Sequence, residues 1–310
     1  MGLSRFAKYS WGVLVFNLGV ILWGAYVRVT GSGAGCGSHW PLCNGEILPR
    51  SPEIETAIEF THRLTSGMAF LLVVGMFIWA MRIFEKGHVI RTGVWLSLIF
   101  IITEALVGAG LVLFRWVAYN VSVERVVSIS VHLVNTFLLV ASLTLTAWWA
   151  SGGRRVSLAN RGFVVWAFGL GFLGILFLGV SGAITALGDT LFPAATLPEG
   201  IAQDFAPTAH FLVRLRIWHP LIAVVSGTYL CVLAVFTTKS RKERTIRRFV
   251  ALLIILFLVQ LAAGLMNLVF LAPTPLQVIH LLLADVVWIT MVLLAAMTFA
   301  IQDTIVTGVA

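Results

Sequence analysis

Eight apolar stretches, each long enough to cross a lipid bilayer as a helix, make up most of this 310-residue chain. They run over roughly 11–29, 56–82, 92–114, 126–148, 163–186, 211–237, 248–271 and 276–300. The residue content agrees: 59% is hydrophobic, 11% is charged and the mean hydropathy is +0.99. A soluble domain carries about twice that charged fraction. The chain is therefore expected to be an all-α integral membrane protein. The first run is too long, and too poor a match to a cleavage site, for a removed signal peptide.

The net charge of +8 invites a nucleic-acid reading, but the basic residues sit in short loops between spans. One side holds Arg5, Lys8, Arg82, Lys86, Arg91, Arg154, Arg155 and Arg161, then the run Lys239, Arg241, Lys242, Arg244, Arg247 and Arg248. The other side holds most acids, including Glu46, Glu53, Glu55, Asp189, Glu199 and Asp204. The positive-inside rule predicts a multi-pass plasma-membrane protein with both termini cytoplasmic. The 239–248 run reads as a topology determinant before it reads as a site for anionic lipid. Membrane lipid is the expected surrounding; no nucleic acid is.

The eight spans divide into two sets of four. Thr61-His-Arg-Leu-Thr-Ser-Gly aligns on Trp218-His-Pro-Leu-Ile-Ala-Val, and Val131-His-Leu on Ile279-His-Leu. Glu104-Ala-Leu-Val-Gly aligns on Gln260-Leu-Ala-Ala-Gly, and Gly24-Ala-Tyr-Val-Arg-Val-Thr on Gly179-Val-Ser-Gly-Ala-Ile-Thr. The offsets stay between 148 and 157 residues. Such constancy predicts a duplication, and four spans per copy make it a parallel repeat. The expected architecture is two tandem, pseudo-symmetric four-helix bundles, 1–150 and 151–310, joined at a Ser-Gly-Gly-Arg-Arg seam.

His62, His132, His219 and His280 lie a few residues inside spans two, four, six and eight. Intramembrane histidine is costly and marks a metal, a proton path or a polar partner. All four fall roughly 6–12 Å below the outer boundary at 1.5 Å per residue. Facing helices of a four-helix unit can hold a porphyrin iron between two such imidazoles. His62 with His132 would form one heme site, and His219 with His280 the other. Spacing alone leaves copper and a proton relay open. His88 reads as a solvated loop residue and His210 as a helix-start residue; His39 lies within a cysteine loop.

That loop, Gly31 to Gly45, is outside and carries Cys36 and Cys43. An oxidising compartment favours a disulfide between them. It reads as either a structural staple or a labile, redox-active pair. Cys231 reads as an inert thiol within its span. Glu59 shares a helix face with His62. It could take a proton or stabilise a developing cation, or serve only as a helix-start charge. Its counterpart, 157 residues on, is Arg216, so the two halves are chemically unequal. Glu104, with Gln260 opposite it in the repeat, and Asp285 are further intramembrane polar groups. Arg28, Arg63, Arg214 and Arg216 gather where heme propionates would emerge, and guanidinium suits carboxylate.

The combination of Thr30-Gly-Ser-Gly-Ala-Gly-Cys36, Trp40-Pro-Leu-Cys43-Asn-Gly45, Glu59-Phe-Thr-His62-Arg63 and the three later histidines resembles the heme A synthase family over essentially the whole chain. The resemblance implies eight helices in two halves. It implies a substrate heme O at His62 and His132, and a heme b at His219 and His280. It implies catalysis that needs Glu59 and is assisted by Cys36 and Cys43. Arg63, Arg214 and Arg216 would support the hemes. The implied reaction oxidises a porphyrin methyl of heme O to the formyl of heme A, by successive hydroxylations and dehydration. Implied partners are a heme O synthase as donor and cytochrome oxidase assembly factors, with a homo-oligomer left open. Two departures stand out: 187–209 carries no second cysteine pair, and Pro220 follows His219 where Arg63 follows His62.

Two competing readings remain at this level. A non-enzymatic diheme cytochrome b explains the histidines and the repeat but leaves Glu59 and the one-sided cysteine loop without a use. A proton-coupled transporter would need polar groups spread through the membrane depth.

Overall fold

A computed structural model describes residues 2–50, 52–159 and 161–301. The expected second half runs on to 310, and its residues 302–310 lie outside that set, as does Met1 at the amino terminus. Among the described residues the chain is helical, with no strand longer than an isolated bridge. The spans are α1 (Arg5–Val29), α2 (Ile54–Ile83), α3 (Val89–Leu113), α4 (Val123–Ala150) and α5 (Phe163–Leu191). After two short helices, α6 (Leu197–Phe205) and α7 (Phe211–Leu215), come α8 (Trp218–Ser240), α9 (Arg244–Val269) and α10 (Thr274–Phe299). Eight of the helical segments are long and apolar enough to cross a membrane, with α7 and α8 counted as one.

The helix ends follow ordinary capping. Ser4 and Ser122 accept from the amides of Ala7 and Arg125, and so start α1 and α4. The Ser4 cap extends α1 six residues beyond the expected apolar run. Two features were not anticipated. The amphipathic helix α6 lies within 187–209, capped by Thr196. The sixth span is broken near Arg216 and Ile217. Pro220 has no N–H to donate to the Arg216 carbonyl four residues back, and its ring crowds that carbonyl. His219 donates to it instead, one residue tighter, at 3.2 Å.

Helices α1 to α4 pack in a ring, and so do α5, α8, α9 and α10. The rings meet along α1 and α4 of the first against α5 and α10 of the second. Trp288 of α10 donates its indole N–H to Phe137 O of α4 at 2.7 Å and stacks on the Phe137 ring. The seam loop is tied to the end of α10, with Ser157 N–H bonded to Phe299 O and Ile301 N–H to Arg155 O. The cysteine loop, the 114–122 loop and α6 lie at one end of the bundle; the clusters at Arg82–Arg91 and Lys239–Arg248 lie at the other.

Candidate functional site

Each of the four histidines sits two turns or so from the loop end of its span, with α7 and α8 counted as one. His62 is eight residues after Ile54, His132 nine after Val123, His219 eight after Phe211 and His280 six after Thr274. At 1.5 Å per residue this is roughly 9–14 Å down each helix. Helices α2, α4 and α10 begin a little earlier than their apolar runs, so His62, His132 and His280 lie further along their helices than the runs alone suggest.

Each imidazole faces a glycine on a neighbouring helix. A Cβ on Gly24 of α1 would stand 2.9 Å from His62 Cε1, and one on Gly182 of α5 would stand 2.9 Å from His219 Cε1. The corresponding approach is 3.8 Å from Gly108 of α3 to His132 and 3.2 Å from Gly264 of α9 to His280. At Gly24 and Gly182 a side chain would displace the imidazole. This shifts one expected alignment: Gly182, not Gly179, occupies the Gly24 role. Gly179 packs instead against Leu133 and Phe137 of α4.

The His219 and His280 rings have centroids 6.4 Å apart and planes at 83°. Two imidazoles bound to one metal from opposite sides, at about 2 Å each, bring ring centroids about 6 Å apart. Ser181 Oγ lies 3.0 Å from His219 Nδ1, and Gln260 Nε2 3.3 Å from His280 Nε2. His62 and His132 stand near enough to interact electrostatically. Among the described residues, Nδ1 of His62 and of His280 is buried without a hydrogen-bond partner. That is a costly state for a ring that only fills space. No three His, Cys, Asp or Glu side chains gather among the described residues as they would around a chelated ion. The histidines come in pairs. Paired imidazoles with glycines alongside fit axial ligation of a flat macrocycle.

Around the first pair, Glu104 of α3 reaches into α4. It accepts from Asn135 Nδ2 and Thr136 Oγ1, and its Oε1 lies 3.3 Å from His132 Nδ1. The position matching Glu104 in the second half is Gln260, which lies beside His280. Asp285 of α10 is fully buried, and neither carboxyl oxygen has a partner among the described residues.

The cysteine loop folds onto the start of α2. Gly35 lies so close to the backbone of Glu55 and Thr56 that a side chain there would collide with it. Thr56 Oγ1 donates to Gly35 O at 2.7 Å, and Cys36 N–H donates to Glu59 Oε2 at 2.7 Å. Cys36 and Cys43 form a disulfide and both are buried. The pair is shielded, not exposed on a loop tip. Glu59 is itself buried, and its Oε1 accepts from Arg63 Nε and Nη2. Arg63 also donates to the carbonyls of His39 and Leu42. Glu59 thus joins the disulfide loop to the helix face that carries His62. His39 is exposed.

The arginines divide into two kinds. Arg63 is committed to Glu59. Arg216 is buried against Asp189 and Asp204, at 3.0 and 2.8 Å, with Gly188 leaving room for its stem. Arg214 is exposed on α7. Arg28 crosses to the second ring, donating to Thr190 Oγ1 at 3.3 Å and Gln277 Oε1 at 3.2 Å. Arg125, which the sequence reading passed over, is buried at the first turn of α4. Its signal was available: it precedes His132 by seven residues, two turns along the same helix face. His88 and His210 cap α3 and α7 through Nδ1.

Residues 7–292 match the COX15-CtaA family model, described as cytochrome oxidase assembly protein. The chain belongs to this family. A relative named heme A synthase in Alkalihalophilus pseudofirmus is 30% identical over 256 residues, covering 81% of each chain. Another of that name, in Shouchella clausii, is 29% identical over 298 residues, 93% of this chain and 94% of its own. A Thermus thermophilus protein named protoheme IX farnesyltransferase is 55% identical over 292 residues, or 94% of this chain. Those residues make up 48% of the Thermus protein, so the chain spans about half the length of that relative. Family membership accounts for an all-helical membrane protein. The disulfide, the histidine pairs and Glu59 are the features of this chain that invite a chemical role.

Proposed function

We propose that the protein is an oxidoreductase of heme A synthesis. It would bind heme O between His62 and His132 and oxidise one methyl group to a formyl group by successive hydroxylations and dehydration, with water supplying the oxygen and the electrons and protons leaving to an acceptor outside the chain. His219 and His280 would hold a heme b, which supplies one-electron redox chemistry when bound. The observation that carries this reading is the unequal equipment of two otherwise alike histidine pairs. Only the first has a carboxylate on the ligand's own helix face that is tied to a buried disulfide. A plain diheme electron carrier has no use for that asymmetry.

The roles of the chain's own groups follow from their placement. His62 and His132 orient the substrate's plane between α2 and α4. Glu59, held by the Cys36 amide and Arg63, keeps a carboxylate beside the His62 face, where it can accept a proton from water or offset positive charge developing at the methyl carbon. The Cys36–Cys43 disulfide fixes the loop that positions Glu59. Glu104 orients the His132 ring. Loss of a proton-accepting group of this kind costs about 100-fold to 10,000-fold in rate.

The name of the Thermus relative supports a heme O synthase as the source of substrate, and the family description supports cytochrome oxidase assembly as the destination. The basic loops support an orientation with both termini cytoplasmic. The test is co-expression with a heme O synthase in a host without heme A, followed by heme extraction and mass measurement. Heme A or its hydroxylated precursor is the expected product. Heme b alone would decide for the electron carrier. Glu59→Gln should abolish the formyl product while both hemes still bind; full heme A formation by that variant would remove Glu59 from the chemistry.

A further inference from the structure

Arg63 and Arg216 have carboxylate partners within the chain; Arg125 has none among the described residues. Its Nη1 donates to the carbonyls of Ala118 and Asn120 in the loop between α3 and α4. Its Nε is buried with no acceptor, on a residue only 3% exposed. Arg28 lies close enough for the two guanidinium charges to repel. Asp189 lies within electrostatic reach of Arg28, but its carboxylate is bonded to Arg216. Arg28, Arg125 and Arg216 are three guanidiniums facing two carboxylates, Asp189 and Asp204, so this cluster has one positive charge in excess. An uncompensated charge in such a place is strongly unfavourable unless an anion completes it.

The position names the anion. Arg125 lies two turns, about 10 Å, along the α4 face that carries His132. Arg28 lies one turn from Gly24, which abuts the His62 ring. Both arginines thus stand on the loop side of the first histidine pair. That is the reach of a porphyrin's radius plus its carboxylate arm. The two loop carbonyls hold the guanidinium by Nη1 and leave Nε aimed elsewhere, so the group is fixed before any ligand arrives.

We propose that Arg125, with Arg28 beside it, receives a propionate carboxylate of the heme held by His62 and His132. The inference rests on the heme reading of the two pairs. It goes beyond that reading by naming the group that recognises the ligand's acidic edge, in place of Arg63. Gln277, one turn from His280 on α10, also bonds Arg28. A carboxylate from the second heme is therefore the rival source, and the experiment separates the two.

Purified protein is titrated with heme b and, separately, with its dimethyl ester, whose propionates carry no charge. Two backgrounds isolate the sites: His219→Ala with His280→Ala leaves the first, and His62→Ala with His132→Ala leaves the second. In the first-site background, Arg125→Gln should weaken binding of the acid form roughly tenfold to 100-fold, the loss of one charge-assisted hydrogen bond. The ester should bind equally to both proteins, and Arg125→Lys should recover part of the loss. Equal loss for acid and ester would assign Arg125 to the loop alone and overturn the proposal. So would unchanged binding, or a loss confined to the second-site background. If neither background binds heme with its arginines intact, the heme reading itself fails and this inference fails with it.

Discussion

At the scale of single residues, the two histidine pairs differ most in what stands behind the imidazoles. Glu104 Oε1 lies 3.3 Å from His132 Nδ1, while the matching Gln260 lies against the other ring nitrogen of His280, Nε2. A carboxylate behind a ligating imidazole makes the ring a stronger donor and favours the oxidised metal. Glu104→Gln should therefore raise the midpoint potential of heme O held at the first pair by roughly 60 mV, the equivalent of a tenfold change for one electron. A redox titration of the His219→Ala, His280→Ala protein loaded with heme O checks it. An unchanged or lower potential would leave Glu104 as an anchor for Asn135 and Thr136 only. The sequence made Glu104 visible as an intramembrane acid and Glu59 as a neighbour of His62. Arg125 was legible only by its spacing, two turns before His132 on one helix face; its burial was not, because a lone arginine at a helix start gives no sign of it. The pairing of Arg63 with Glu59 was likewise legible as an i, i+4 spacing, but their contact with the loop carbonyls was not.

At the scale of helices, the apolar runs fixed the number of spans and most of their limits, because span length is set by the bilayer and not by local preference. What escaped was irregular: the break at Arg216 and Ile217, and the polar helix α6. The break is physically readable from Pro220, yet the apolar run continues through it, so hydropathy alone draws one helix. Glycine positions inside the spans were also only half legible. Gly227 of α8 meets Phe257 of α9 so closely that a Cβ at Gly227 would overlap the Phe257 ring. Phe257 is itself buried, so it cannot swing outward. Gly227→Ala should destabilise the second ring by about 1–3 kcal/mol through overpacking. A lowered melting temperature in detergent is the readout. Phe257→Leu in the same chain should recover much of the loss, since contacting residues couple. A Gly227→Ala protein as stable as the parent would show that α8 and α9 can part without cost.

At the scale of the whole molecule, the two rings meet along α1 and α4 of the first and α5 and α10 of the second, and the polar links between them are few. Trp288 N–H bonds to Phe137 O, and Arg28 bonds to Thr190 and Gln277. In lipid, apolar faces gain little from meeting one another, so packing and such hydrogen bonds hold helices together. Separating the rings would turn the Trp288 indole toward hydrocarbon, where an unsatisfied group costs several kcal/mol, and would strip Arg28 of Thr190 and Gln277. The repeat suggests two modules that arose by copying; the interface makes them one unit. Residues 1–150 produced alone should therefore fail to hold heme at His62 and His132, despite carrying both ligands. Co-production of 151–310 from a second gene should restore binding, because the covalent seam adds only proximity to an interface already complete. Absorbance of the purified material at the heme band, with size-exclusion elution, checks both arms. A monodisperse 1–150 fragment with full heme content would show that the cross-ring bonds are dispensable, and that each ring is stable on the packing of its own four helices.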